Sequence, residues 1–334
     1  MRRETRYSTT LTVSILSTAC RAIGIGLGLL AVDGFRLAAY GSRLPAQSHA
    51  QPVEAISLLG DSLRRPVIPP DAAARMTAQL READAELARR PGSADAVIWV
   101  GRRTAYLGRF TEAIAVFSSG LARHPNDPRL YRHRGHRYLT IRHFDRAIAD
   151  LVYGARLTRG QKDEVEPDGQ PNERNIPTST LQSNIWYHLG LAYYLKGDFR
   201  RALAAYRECL AVSKNPDMEV ATRYWLYMTL RRMGLPARAT EVLQPVTRSM
   251  DIIENRSYHR LLLLFKGELS PDSLASGGAD RALEDATTGY GLGNWHFFNG
   301  RKDEAMTVWR RVVEAGPWAS FGALAAEAEL ARQP

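Results

Sequence analysis

Apolar residues recur at helical spacing along most of the chain beyond residue 70, with polar residues between them. Met76, Leu80, Ala83 and Leu87 illustrate the pattern, because intervals of three and four residues place all four on one face of an α-helix. This segment follows Pro70, and proline favours the first turn of a helix. The chain is therefore expected to be all-α.

A period of 34 residues runs through the helical pattern. The recurring small and aromatic residues are, copy by copy, Gly101, Phe110 and Ala113; Gly135, Phe144 and Ala147; Gly190, Phe199 and Ala202; and Gly293, Gly300 and Ala305. The clear copies cover residues 93–125, 127–157, 183–216 and 286–317; weaker copies cover 217–250 and 251–275, and an acidic insertion covers 158–182. Such repeats bury their apolar faces only by stacking, so the period predicts a helical solenoid.

These copies resemble the tetratricopeptide repeat. Two of them carry its most characteristic positions, which are Trp186, Leu189, Gly190, Tyr193, Leu292 and Gly293. The resemblance implies a right-handed superhelical solenoid of antiparallel helix pairs over residues 71–331. Helices at 71–90 and 318–331 would cap its ends, and residues 51–70, which contain four prolines, would form an extended arm.

Residues 1–50 read as a leader, either a signal peptide or a membrane anchor. Three interpretations remain open: a secretory signal with Ala22–Val32 as its apolar part, a lipoprotein signal ending at Cys20, and an uncleaved anchor that carries Arg21. All three place the rest of the chain outside the cytoplasm, in the periplasm or secreted. Membrane attachment is expected only through this leader, by the anchor or by a lipid on Cys20.

The resemblance also implies that the first helix of each pair lines a concave groove. Transferred to this chain, the groove residues for a partner are Arg102, Arg129, Arg132, His136, Asn184, Tyr187, Tyr194, Tyr224, Arg231, Tyr290, Asn294 and Phe297. The set is basic and aromatic and contains no acid. It suits a peptide segment or a free carboxylate, because guanidinium groups bind carboxylates bidentately and tyrosines supply contact area. The alternative is a solvated basic helix face.

One predicted helix, Tyr131–Tyr138, is crowded with cations, since Arg132, His133, Arg134, His136 and Arg137 follow one another closely. Like charges on one helix repel each other unless an anion faces them. An external ligand is one candidate anion. The other is the insertion, whose acids are Asp163, Glu164, Glu166, Asp168 and Glu173. We expect this insertion either to fold back over the basic groove and shield it, or to be an ordinary surface loop.

The chain offers no convincing catalytic constellation. A nucleophile elbow and a zinc-binding histidine motif are both absent from the sequence, and its two cysteines are too few for a disulfide framework. His133 and His136 lie three residues apart without a neighbouring acid or thiol, so no metal site is predicted, and no cofactor is expected. We therefore expect a non-enzymatic protein without a small-molecule substrate.

The function implied by the resemblance is that of a scaffold or adaptor for protein–protein interaction, the role of extracytoplasmic bacterial members of the family. Its partner is expected to be a protein or peptide that is acidic or has a free carboxylate. The alternative is a binding module for an anionic polymer, either cell-wall glycan or nucleic acid. Nucleic acid is disfavoured, because a net charge of +10 with 35 acids is mild for a nucleic-acid-binding chain.

Overall fold

The computed structural model describes residues 51–274 and 286–333. The leader predicted at residues 1–50 lies outside the described residues. The elements are β1 (Val53–Ile56), β2 (Ser62–Arg64), α1 (Pro70–Arg89), α2 (Ala94–Tyr106), α3 (Phe110–Arg123), α4 (Pro128–Thr140), α5 (Phe144–Leu157), α6 (Leu181–Leu195), α7 (Phe199–Val212), α8 (Pro216–Arg232), α9 (Pro236–Leu243), α10 (Arg256–Phe265), α11 (Pro271–Leu274), α12 (Ala286–Phe298), α13 (Lys302–Ala315) and α14 (Phe321–Ala331).

Helix pairs stack in chain order to form a solenoid, as predicted. Pairs α2–α3, α4–α5, α6–α7 and α12–α13 each contact internally, and α4, α6 and α8 each pack on the pair before them. Several helices begin at capping residues, such as Asp127 before α4 and Thr180 before α6, whose side chains accept backbone N–H bonds. No helix within residues 51–274 and 286–333 is long and apolar enough to cross a membrane.

The regular spacing of small residues from one helix pair to the next has a packing cause. A Cβ atom on Gly190 would lie 2.6 Å from the ring of Tyr206, and a Cβ on Gly101 would lie 2.3 Å from the ring of Phe117. The glycine in the first helix therefore lets an aromatic side chain of the second helix approach its backbone. The aromatic residues fill the space between the helices, and the pair is held at close range.

Tight turns between the two helices of a pair use left-handed backbone. Gly108, Gly197 and Gly300 adopt φ of 71°, 80° and 79°, a region that glycine enters without steric cost. Arg142 occupies the equivalent position between α4 and α5 with φ of 66°. A non-glycine residue there is strained, and the contacts of its side chain explain why it is present.

The segment predicted as an extended arm contains a short β-hairpin. Strands β1 and β2 are antiparallel, with Ala55 opposite Leu63. Glu54 of β1 is buried and accepts hydrogen bonds from Arg65 (2.7 Å) and from the backbone N–H of Thr111 (3.0 Å) at the start of α3. The prolines fall outside the two strands, where they cost no ladder hydrogen bond. The four prolines that suggested an extended arm are therefore compatible with a hairpin.

Helix α14 packs against α12 and α13, the position expected of a helix that covers the last pair. It also reaches residues far back in the chain. Glu327 forms a buried ion pair with Arg142 (2.5 Å) and accepts a hydrogen bond from the N–H of Leu58 (2.6 Å) in the hairpin. Phe321 lies 5.4 Å from His136, measured between ring centroids. The C-terminal helix therefore joins the first repeats to the last.

Candidate functional site

A cavity of about 310 Å³ opens between α2, α4 and the insertion. We call it the basic cavity. Its helical wall consists of Arg102, Ala105, Tyr106, Phe117, Arg132, His133, His136 and Arg137, and its other wall is formed by Glu166, Pro167, Asp168, Gln170, Pro177, Thr178, Ser179 and Glu254. The volume lies at the lower end of the range for ligand pockets. The cavity is thus large enough for one or two side chains of a partner.

The helical periodicity of α4 divides its crowded cations between two sides. Arg132, His133, His136 and Arg137 all line the basic cavity. Arg134 points elsewhere and donates from Nε and from one terminal nitrogen to the two carboxylate oxygens of Asp150, each at 2.7 Å. Spacings of three and four residues between the members of the first group place them on one helix face.

Glu166 of the insertion is the carboxylate closest to the cations of the cavity. Its Oε2 atom lies 2.9 Å from Nε of Arg132 and accepts a hydrogen bond of 3.0 Å from Nδ2 of Asn184. Its Oε1 atom lies 3.8 Å from Nε2 of His133. The side chains of Arg132 and Glu166 are only 10% and 11% exposed, so this ion pair is largely removed from water.

Arg102 is buried but has only neutral partners. It donates to the carbonyl oxygen of Pro167 (2.8 Å) and to the hydroxyl of Tyr106 (3.3 Å), and its guanidinium lies 4.5 Å from the ring centroid of Trp99. In residues 51–274 and 286–333, no Asp or Glu oxygen lies within 4.0 Å of it. Arg102 therefore presents an unneutralised charge at the cavity wall.

Arg137 is the second cation of the cavity that lacks an acid. Over the described parts of the chain, no carboxylate oxygen comes within 4.0 Å of its guanidinium, which lies 5.6 Å from the ring of Phe110. Burial, followed by repulsion from Arg132, lowers the pKa of Arg137. The free energy cost of keeping it charged would fall if an anion entered the cavity.

Three neutral histidines flank these arginines. The rings of His136 and His188 lie 4.2 Å apart, and the ring of His133 stacks on Phe117 at 5.6 Å. Burial, reinforced by nearby cationic groups, holds the pKa of each of the three histidines well below the usual range. His133 and His136 therefore contribute hydrogen-bonding and packing surface to the cavity at neutral pH, and no charge, while His188 packs behind them.

The structure brings together three of the predicted groove residues, Arg102, Arg132 and His136, in the basic cavity. Asn184 supports them through its bond to Glu166. Sequence reasoning missed Tyr106 and left Arg137 out of the groove, and it anticipated Glu166 only as one of five acids of the insertion. Arg137 belonged to the crowded cluster, but the transferred groove pattern skipped it, and Tyr106 follows Arg102 by one helical turn on the same face.

The structure corrects the expectation of an open aromatic groove in the later repeats. The hydroxyls of Tyr194 and Tyr290 lie 2.7 Å apart, and Tyr290 donates to Glu329 of α14 at 3.2 Å. Glu329 is fully buried and lies 3.1 Å from Arg232 and from Arg332. Helix α14 covers this surface, where its carboxylates form ion pairs with arginine side chains.

The other predicted groove residues are also engaged within the chain. Tyr187 is hydrogen-bonded to Tyr258 and Trp225. Tyr224 meets the ring of Trp225 edge to face and packs against Tyr258, and the buried Asn294 donates to the carbonyl oxygen of Tyr290. Arg129 pairs with Asp127 and Asp95, Arg231 lies over the ring of Phe298, and Phe297 packs on Trp309. None of these six lines the basic cavity.

Comparison with family models finds the repeat in one segment of the chain. The tetratricopeptide repeat (TPR) family model matches residues 183–216, the segment of α6 and α7. No curated protein matches the chain.

Several solved structures are similar to it. A tetratricopeptide repeat protein from Parabacteroides merdae is 14% identical, with 76% of this chain and 92% of that one covered and a TM-score of 0.43. YrrB, described as a TPR protein with an unusual peptide-binding site, is 12% identical, with 70% and 91% covered and a TM-score of 0.40. MamA is 16% identical, with 52% and 89% covered and a TM-score of 0.39. The chain thus contains a tetratricopeptide repeat at residues 183–216, within a solenoid of stacked helix pairs.

Proposed function

We propose that the chain is a non-enzymatic scaffold for protein–protein interaction, and that an acidic segment of its partner binds in the basic cavity. The observation that carries the proposal is the pair Arg102 and Arg137, two guanidinium groups that line one cavity and have no carboxylate within 4.0 Å in the described residues. An anionic side chain or chain terminus would complete their coordination.

The covering of the later repeats by α14 supports this choice of site. Tyr194 and Tyr290 are fully buried, so a partner would gain no contact with them unless α14 left. The ion pairs of Glu327 and Glu329 are removed from water, and separating such pairs costs several kcal/mol. The basic cavity, in contrast, already has space for a ligand.

A capture experiment tests the scaffold role. The full-length protein is immobilised and exposed to an extract of its source cells, alongside the double variant Arg102→Ala/Arg137→Ala. The matched control is Arg75→Ala/Arg81→Ala, which removes two exposed arginines from α1 and leaves the cavity intact. A partner retained by the wild type and the control, and lost from the cavity variant, is the expected result.

Two outcomes would count against the proposal. Equal capture by all three proteins would place the binding surface outside the basic cavity. Binding that falls steeply with salt and extends to polyanions of any sequence would instead favour the anionic-polymer function, because release of many counterions produces such a dependence.

We also propose an extracytoplasmic location, which the leader sequence supports. Protease added to intact cells after removal of any outer permeability barrier should degrade the protein while a cytoplasmic marker survives. Survival of both would contradict the proposal.

A further inference from the structure

The insertion between α5 and α6 is fastened at its base by a short antiparallel contact. Val165 and Thr180 form an isolated β-bridge. The N–H of Glu166 donates to the carbonyl oxygen of Ser179 at 3.1 Å, and the N–H of Leu181 donates to that of Glu164 at 2.8 Å. This pairing aims the Glu166 side chain towards α4.

One carboxylate and two carbonyl groups of the insertion bind arginine side chains of α2 and α4. Glu166 pairs with Arg132, as described above. Beyond it, Pro167 accepts from Arg102 and Gly169 accepts from Arg103, both at 2.8 Å. Nothing else in the cavity carries a negative charge so close to Arg132, although Asp168 and Glu254 also line the wall.

Gly169 is a point at which this arrangement is sterically sensitive. A Cβ atom added there would lie 2.0 Å from the hydroxyl oxygen of Tyr106 and 2.8 Å from a terminal nitrogen of Arg102. A side chain at this position would displace the ends of the Tyr106 and Arg102 side chains or move the insertion away from the cavity wall. The glycine therefore permits the close approach that lets Glu166 reach Arg132.

The outer part of the insertion is held more weakly. Arg174 pairs with Asp251 at 2.7 Å, but the two side chains are 46% and 71% exposed. Ion pairs of this exposure contribute little to stability, because water screens them. Glu173 is exposed, and no hydrogen bond or ion pair from it is observed within the described residues. Asn172 and Thr178 of the insertion also donate to Glu254, and Asn215 donates to the carbonyl oxygen of Thr178. Release of the insertion would thus need the loss of these hydrogen bonds together with its contacts to Arg132, Arg102 and Arg103.

We propose that the insertion is a displaceable internal ligand, in which Glu166 occupies Arg132 until a carboxylate of an acidic protein segment takes its place. The incoming carboxylate would pair with Arg132 and bring further acids within reach of Arg102 and Arg137. The displaced carboxylate would pass into water, where it is well solvated. The inference rests on the proposed function, because it names how access to the same cavity is regulated.

Two variants with different physical actions test the displacement. Glu166→Gln keeps the size of the side chain and removes its charge, whereas Gly169→Ala leaves every charge in place and crowds the contact of the insertion with Tyr106 and Arg102. Glu173→Gln is the matched control, since it removes the same charge from an exposed position of the same insertion. The full-length protein is titrated into a fluorescein-labelled octapeptide of alternating serine and glutamate, with the serine–glutamine octapeptide as the uncharged probe, and fluorescence anisotropy is recorded.

We expect both Glu166→Gln and Gly169→Ala to bind the acidic peptide about tenfold more tightly than the wild type, a factor that corresponds to ~1.4 kcal/mol. Glu173→Gln should bind as the wild type does, and the glutamine peptide should bind none of them well. Amide hydrogen exchange at Glu166 and Leu181 should accelerate when the wild type is saturated with acidic peptide.

The outcomes separate this inference from the function on which it rests. If the wild type, Glu166→Gln and Gly169→Ala bound the acidic peptide equally, and Arg137→Ala abolished this binding, displacement would be overturned. The basic cavity would still be the binding site. An affinity gain in Glu173→Gln equal to that in Glu166→Gln would also overturn it, because general charge reduction would then be the cause. Absence of acidic-peptide binding in every protein would overturn the proposed function and the inference together.

Discussion

Arg142 and Glu327 form a buried ion pair across 185 positions of sequence, with an N–O distance of 2.5 Å and both side chains 3% exposed. Arg142 also donates to the carbonyl oxygens of Thr140 and Trp318. It adopts φ of 66° at a turn where neighbouring repeats have glycine. The strain of a non-glycine residue is therefore offset by a side chain that binds the C-terminal helix.

Arg142→Ala should lower the free energy of unfolding by about 3–5 kcal/mol, because it leaves the Glu327 carboxylate buried without its cation. Arg142→Gly should lose about 1 kcal/mol less, since glycine relieves the backbone strain that alanine retains. Urea unfolding of both variants checks the prediction. If Arg142→Ala were as stable as the wild type, the ion pair would have no role in holding α14 in place.

Stability should fall as pH drops below about 6.5, the ordinary pKa of histidine. The folded state lowers the pKa of His136 and His188 through burial and the nearby Arg132 and Arg137, so the unfolded chain takes up protons that the folded chain does not. The free energy of unfolding therefore falls as the pH drops from the histidine pKa of the unfolded chain towards the lower pKa of the folded chain. Each histidine contributes a slope of ~1.4 kcal/mol per pH unit in this range.

His136→Phe should reduce that slope by the share of one histidine, because phenylalanine retains ring contacts with Phe321 and never becomes charged. Urea midpoints measured from pH 7.5 downwards, converted to free energies, check it. His143→Gln, which changes an exposed ring, is the control. An unchanged slope in His136→Phe would contradict the assignment.

The same substitution, glycine to alanine, should have opposite effects at two helical positions. Gly190→Ala should destabilise by roughly 1–3 kcal/mol, because its Cβ would approach the Tyr206 ring to 2.6 Å. Gly154→Ala should stabilise by up to about 1 kcal/mol, since its nearest neighbour would be Ile185 at 3.5 Å, an ordinary contact, and alanine favours helix. Thermal unfolding of the two variants would refute the packing argument if both shifts had the same sign.

Arg137→Met should separate stability from binding. Removal of a partly buried charge that is repelled by Arg132 should raise the free energy of unfolding by roughly 1 kcal/mol, after allowance for solvent screening. The same change should weaken binding of an acidic peptide. Added salt should stabilise the wild type more than the variant, and calorimetry at two ionic strengths measures the difference. Lower stability of Arg137→Met at low salt would contradict this account.

The sequence predicted the helices well, because their signals are local. Helix α1 was expected at residues 71–90 and spans Pro70–Arg89. The close approach at Gly190 was foreseeable, since a small residue opposite an aromatic one has a single packing solution. The hairpin was missed, because two strands of four and three residues carry almost no periodic signal.

The candidate site was only partly foreseeable. The charges of the sequence made contact between basic α4 and the acidic insertion one of two expectations. Glu166 does pair with Arg132. The burial of Tyr194 and Tyr290 did not follow, because it depends on the path of α14 through the curved array. Glu327 and Glu329 lie in an alanine-rich helix, and their counter-ions could not be recognised before the fold was known. Arg142, at a turn where other copies have glycine, was the one sequence feature that indicated an additional contact there.

The pairing of Arg142 with α14 has a consequence for the synthesis of the protein. Ribosomes complete the N-terminal repeats first, so Arg142 exists for the time needed to add 185 further residues before Glu327 is made. Until then, the aromatic surface around Tyr194 and Tyr290 has no cover. A chain that lacks α14 leaves Tyr194 and Tyr290 without the helix that buries them. Loss of this one helix would therefore expose apolar surface, which favours aggregation.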